Sequence, residues 1–417
     1  MLKLIVLITY LATPTAEPVA EPALVPETQA PTKGEPKEAL KPLPDLDAVN
    51  DAEQKFIFYN PDGIGAHAFH TPWAIIIESG LEEYDARPLS KLNLLNGQKK
   101  VLQAFGDPAG TIKSYGAKNF LYQQILPLNT LTGGPPAFIP NYLWHFLGGG
   151  FRHRMMTEYY THKGAEYPQL YSWLTLYAGH WLNEAVQAQK FKTGSADALA
   201  DLLFFDWIGK VMFLSDDVSR FFADTLHFRD WTFQTSYNPL TNSLYNTGQL
   251  MWARVDVWGG VSISGLSGHL INALGLTYSH NDNQTQWSSG WGLQARRFKL
   301  LPNGDLAPGK MRWCIFGAYS ENDNPLVVVV AKQGFDDVNT LYDEKAPEPN
   351  TLQNNNFVLA ASLQVNIYPK WLEVWGQKLA VHVSWMQGTV FMGIGHNLLP
   401  LGMSLSPQLA EKYRDDF

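Results

Sequence analysis

One cysteine, Cys314, stands among 417 residues, so no internal disulfide can staple this chain. A one-cysteine chain is compatible with an oxidising compartment. Charge is sparse as well. Asp, Glu, Lys and Arg make up 17% of the residues, and the formal net charge is −8. No block of basic residues occurs, which argues against binding the phosphates of a nucleic acid. Walker, Rossmann and zinc-finger patterns are missing, and no cofactor is implied. Gly393 and Gly395 in GIGHN are too few for a phosphate loop and read as easing a strand bend.

Aromatic residues are abundant, at 13% of the chain with 14 Trp. Such a load fits a membrane-interface belt, where Trp and Tyr gather, and equally fits a large soluble β core. At the N-terminus, Met1–Leu11 reads MLKLIVLITYL, an apolar run too short to span a membrane as a helix. Small residues follow up to Ala16. The expected element over residues 1–16 is a signal peptide, despite Pro14 at an unfavourable position for cleavage. Removal of Lys3 with it would leave a net charge of −9. Residues 17–44 are rich in Pro, Glu, Ala and Lys, with too little apolar surface to offset ordering, and are expected to be a disordered linker.

The rest of the chain changes periodicity twice. Residues 45–140 form a mixed segment in which Phe56–Tyr59 and Trp73–Ile77 look like short strands, Pro61-Asp62-Gly63 a turn and Gly133–Pro136 a loop. Across 141–226 the apolar spacing is helical. Three helices are predicted: Asn141–His162, Gln169–Phe191, and a third, open to a break, over Ser195–Thr225, with Ser195 as N-cap. Over 227–417 the period falls to two. Val255 and Val257 alternate with Arg254 and Asp256, and Leu274, Leu276 and Tyr278 oppose Ala273, Gly275 and Thr277. Further strands are expected at Gly290–Leu300, Met311–Ser320, Leu326–Lys332, Phe357–Tyr368 and Lys378–Met392. Turns fall at Asn281–Asn283, Pro302–Gly304 and Asn322–Pro325. The fold class expected is α+β: a three-helix module followed by an antiparallel, barrel-like β domain of about eight strands. The strand lengths suit a lipid-embedded barrel, and a soluble barrel or sandwich stays open.

Polar residues in the helices form the most informative pattern. His145, Gly149, Arg152 and Met156 lie along one helical face, with Glu158 further on. His180 and Glu184 are one turn apart with Asn183 beside them. Asp197 and Asp201 are one turn apart, followed by Asp206 and Gly209. Isolated charge amid apolar sequence is costly, so these groups are expected to meet in part. One reading makes His145, Arg152, Glu158, Asn183, Glu184, Asp197, Asp201 and Asp206 a structural polar network. The other makes His145, His180, Glu184 and Asp201 candidate catalytic or metal-binding residues, since His-x-x-x-Glu places imidazole and carboxylate on one helical face. A strand-borne alternative, Ser279-His280 followed by Asp282, is disfavoured because neighbours on a strand point to opposite faces. Gly265-Leu266-Ser267-Gly268-His269 does not fit a nucleophile elbow.

The runs HFLGGGFRHRMMTEYY, GHWLNEAVQ and DALADLLFFDWIGKVMF resemble an uncharacterised family of bacterial envelope proteins, classed only as a domain of unknown function. They are also similar to the YfiM-like and VanZ-like helical group. The resemblance covers about Trp144–Phe213 and places His145, Gly148, Gly149, Arg152, Glu158, Asn183, Glu184, Asp197, Asp201, Asp206 and Gly209 on motif positions. It implies an envelope location and an architecture, and no activity. The leading functional expectation is a non-enzymatic, outer-membrane or periplasmic envelope protein that touches membrane lipid. A lipid- or cell-wall-directed hydrolase using the helix cluster and a carrier of an apolar ligand are the alternatives.

Overall fold

The computed structural model describes residues 56–84, 89–126, 139–189, 194–268, 271–280, 284–295, 299–300, 306–307, 311–333, 361–386 and 389–406. The expected signal peptide 1–16, the linker 17–44, the loop 133–136, His269 and the turn residues 281–283 and 302–304 lie outside them.

Helices come first. α1 is Pro72–Gly80, α2 Leu94–Gly106 and α3 Pro108–Tyr115. α1 overturns the strand expected at Trp73–Ile77. The β-branched run Ile75–Ile77 suggests a strand, but Thr71 caps the Ala74 N–H and Pro72 occupies the first turn, where its missing N–H costs nothing. Phe56–Tyr59 is not a strand either. Its backbone is claimed by Glu158, whose carboxylate accepts from the N–H groups of Ile57, Phe58 and Tyr59 at 2.8–3.1 Å.

The helical module follows. A π-helical stretch, Ile139–Gly148, runs into α4, Gly149–His162. α5 is Pro168–Ala188. The third predicted helix is broken into α6, Ala196–Ala200, a π turn Asp201–Phe205, α7, Asp206–Phe213, and α8, Asp216–Arg220, with a last π turn. α4 and α7 pack at glycines. A Cβ on Gly209 would fall 2.1 Å from the Phe146 carbonyl oxygen, and one on Gly150 would fall 2.5 Å from that of Gly209. Only hydrogen side chains allow backbones this close.

The β half forms one large sheet. Its strands are β1 Arg229–Asp230, β2 Ser236–Asn238, β3 Ser243–Tyr245, β4 Leu250–Trp258, β5 Val261–Gly268, β6 Asn272–His280 and β7 Thr285–Ala295. β8 and β9, Lys299–Leu300 and Leu306–Ala307, make a separate pair. Then come β10 Met311–Glu321, β11 Asn324–Gln333, β12 Ala361–Ile367, β13 Glu373–Val374, β14 Gln377–Met386, β15 Thr389–His396 and β16 Gly402–Leu405. The large sheet has 14 strands in the order β1-β4-β5-β6-β7-β10-β11-β12-β14-β15-β16-β2-β3, with β13 beside β14. The fold is therefore α+β.

Four expectations need correction. The sheet holds 14 strands among the described residues, because the short strands β1–β3, β13 and β16 add to the long ones. It is mixed, because β16 pairs in parallel with β2. It is not closed into a barrel, because no ladder joins β1 to β3. Lys378–Met392 is also two strands, β14 and β15, paired antiparallel. Even so, the sheet curls. β1 and β2 lie at opposite ends of the path yet are separated by five residues, which span at most ~20 Å.

Its inner face holds a core of Trp231, Leu250, Trp252, Leu266, Phe316 and Val328 with Phe69, Trp231 and Trp252 stacked at 4.0 Å. Gly393 makes room on that face: a Cβ there would meet the His382 ring at 1.8 Å.

Candidate functional site

Three helical segments bring the predicted polar residues together. α5 buries Leu176, His180, Glu184, Ala185 and Ala188, while Leu170, Tyr171 and Leu174 are exposed. His180 and Glu184, one turn apart, therefore face the module interior. His145 sits in the π stretch ahead of α4. In the third segment, Ser195 caps α6 by accepting from the Ala198 N–H, Asp201 opens the π turn and Asp206 opens α7. Two of the polar residues thus lie in π turns, which recur at functional positions in helices.

Asp206 is the hub. Its carboxylate accepts from His180 Nδ1 at 2.7 and 2.8 Å, from His145 Nδ1 at 3.1 Å and from Lys210 Nζ at 3.2 Å. A carboxylate only accepts, so both imidazoles carry hydrogen on Nδ1 and turn Nε2 away. His145 Nε2 then faces Asp201 Oδ2 at 3.5 Å. Burial opposes the charge of Asp206, but His180, Lys210 and the hydrogen bonds outweigh it and hold the carboxyl well below the usual range. Burial also pushes His180 down to about 4, so its ring is neutral at pH 7.

Glu184 and Asp201 lie in the opposite regime. Burial, with the neighbouring Asp197 and Asp206 carboxylates, raises Glu184 well above the ordinary range. Burial, Asp197 and Glu184 do the same to Asp201. Asp197 keeps some surface, and burial still raises its carboxyl. Both Glu184 oxygens, which meet the Asp201 carboxyl, Asp201 Oδ1 and His180 Nε2 are buried, and no N–H or hydroxyl group reaches them. Two triplets have ligand atoms within 4.8 Å of one another: His145–Glu184–Asp201 and His145–His180–Asp206. The second is already occupied by its own hydrogen bonds.

The other expected network members go elsewhere. Arg152 is fully buried and binds the sheet, giving hydrogen bonds to Asp230 Oδ2 at 2.6 Å, Thr232 Oγ1 at 2.6 Å and Ser79 Oγ at 3.0 Å. Glu78 stands 3.8 Å from it. Glu158 holds the 57–59 backbone and Arg154. Asn183 donates to the Ser79 carbonyl and to Glu82. The eight residues therefore divide among four separate sets of contacts.

Sequence reasoning missed Lys210, Glu78 and Asp230. The four-residue spacing of Asp206 and Lys210 carried a usable signal. Glu78 and Asp230 had none, because their partner Arg152 is 74 and 78 residues away. On β6, Ser279 is buried and His280 exposed, so the pair cannot act on one group.

What this arrangement can do chemically is hold one positive species, a proton or a cation, between two deprotonation-resistant carboxyls and a carboxylate-oriented imidazole. Comparison with protein-family models, with curated proteins and with solved structures finds no match to this chain.

Proposed function

We propose that this chain is a non-enzymatic protein of a bacterial envelope whose curved sheet turns its outer face to membrane lipid, the helical module being packed against it. The observation that carries this reading is the apolar outer face. The outward positions are apolar and exposed: Val257, Ile263, Leu274, Leu276, Trp291, Ile315, Met392 and Leu405. The inward positions are buried and mix polar side chains, Arg254, Ser262, Thr277, Gln286, Ser288 and Ser404, with the apolar core of Trp252, Leu266, Phe316 and Val328. A sheet in water wets a polar side; an exposed apolar side is that of a lipid-facing sheet.

Dimensions and aromatics agree. β7 and β10 have 11 residues each, ~36 Å of strand, which a 45° tilt reduces to the ~25 Å of an outer-membrane apolar band. Tyr278, Trp287 and Tyr319 stand opposite one another across three adjacent strands, the row expected of an interfacial belt. Among the described residues no helix is long and apolar enough to cross a membrane. Export through the N-terminal segment, and an outer-membrane rather than periplasmic residence, belong to the same proposal.

Among the described residues, the small cavities along the inner face speak against carriage of an apolar ligand. Two cavities along the inner face have volumes of about 10 Å³ each, room for one water at most. Neither touches His145 or Glu184.

Membrane fractionation with heat-modifiability on a gel tests the reading, supported by Ile315→Arg. On a lipid face this change should cost ~2–4 kcal/mol in vesicles. Recovery of the wild-type protein in the soluble fraction, or an Ile315→Arg protein as stable as wild type, would refute it.

A further inference from the structure

We infer that His145, Glu184 and Asp201 form a binding site for one divalent transition-metal ion, with Asp206, His180 and Lys210 as its supporting shell. This goes beyond the membrane reading and does not depend on it.

The first ground is the arrangement of the ligand atoms. His145 gives its Nδ1 hydrogen to Asp206, which leaves the Nε2 lone pair 3.5 Å from Asp201 Oδ2. The separation matches the ~3.4 Å edge of a tetrahedron whose ligands lie 2.0–2.2 Å from a metal ion. Glu184 supplies the third corner, with all three ligand atoms within 4.8 Å of one another.

The second ground is the unsatisfied oxygens. Glu184 is fully buried and no N–H or hydroxyl group reaches either of its oxygens, which meet the Asp201 carboxyl; Asp201, at 2% exposure, has one oxygen in the same position. Their chain neighbours Ala185 and Leu202 belong to a buried apolar cluster with Val101 and Ala198. Buried oxygens left this way call for a partner, and a bound ion is one that three ligand atoms at this spacing can share.

The third ground is the support behind His145. Metal-binding imidazoles almost always donate their other ring N–H to a carboxylate, which sets tautomer and orientation. Asp206 does this for His145 and is itself held by His180 Nδ1 and Lys210 Nζ. One imidazole and two carboxylates are an N,O donor set that suits Zn²⁺ or Mn²⁺. Asp197, one turn before Asp201 and partly exposed, marks the side from which an ion would approach.

The test is calorimetric titration of the chelator-stripped, purified full chain with Zn²⁺ and, separately, Mn²⁺, with metal content measured after dialysis. Expected is about one ion per chain for at least one metal. Glu184→Gln and Asp201→Asn should each weaken binding tenfold or more, while Glu158→Gln, outside the site, should not. Uptake of neither metal by folded wild-type protein would overturn the site and leave a shared proton between the two carboxyls. So would uptake that both site variants leave unchanged. Should the variants not fold, electron paramagnetic resonance of the Mn²⁺-loaded wild type decides: nitrogen coupling from one imidazole is expected, and a purely oxygen-bound ion would refute the assignment.

Discussion

Glu78 offers the most quantitative test of how the helices are joined to the sheet. It is fully buried in α1, no hydrogen bond reaches its carboxyl, and its charged neighbour Arg152 lies 3.8 Å away with its shorter contacts spent on Asp230 and Thr232. Burial therefore pushes its carboxyl from an ordinary 4.5 to about 8, with Arg152 opposing and Asp230 reinforcing. In the unfolded chain the group loses its proton near 4.5; in the folded protein it keeps it to about 8. The stability it contributes is whole below pH 4.5, declines through the interval and is gone above pH 8. At 1.36 kcal/mol per unit over about three and a half units, the loss is ~5 kcal/mol.

Glu78→Gln cannot titrate, so the stability gap between variant and wild type should shift toward the variant by ~5 kcal/mol between pH 4.5 and 8. Denaturant unfolding in detergent, followed by tryptophan fluorescence at half-unit pH steps, measures that gap. Parallel pH profiles for the two proteins would refute the reasoning, because they would mean that Glu78 is ionised in the folded state or in contact with water.

Two further outcomes are expected. Asp206→Asn strips the carboxylate from Lys210, which is 2% exposed, and should cost ~3–5 kcal/mol in the same unfolding assay, as removal of one partner from a buried pair does. Glu158→Ala orphans the N–H groups of Ile57, Phe58 and Tyr59; a loss of ~1.5–3 kcal/mol should appear together with faster proteolytic cleavage near Asn60.

The division between helices and strands was legible because period 3.6 and period 2 are local properties of the chain, and a one-residue slip in a strand would turn its whole apolar set around. Val255 and Val257 against Arg254 already carried the two-faced pattern of β4. The alternation could not say which face was buried, since an apolar-in and an apolar-out sheet have the same period. Closure was equally out of reach. Whether β1 finds β3 depends on curvature accumulated over the whole sheet, to which each strand contributes only a small twist. Lys378–Met392 looked like one strand because only two residues separate β14 from β15, and Trp73–Ile77 looked like another because β-branched residues mask a Thr-Pro helix start.

The candidate site divides along the same line. Sequence spacing alone determined that His180 pairs in direction with Glu184, and Asp197 with Asp201, because one helical turn sets both. Tertiary structure alone decided that Asp206 is shared by two histidines and a lysine, and that Arg152 leaves the cluster for Asp230, 78 residues downstream. Buried charge must find a partner, but which partner it finds is set by the packing of segments distant in sequence. The spacing of residues along one helix carries no information about that packing.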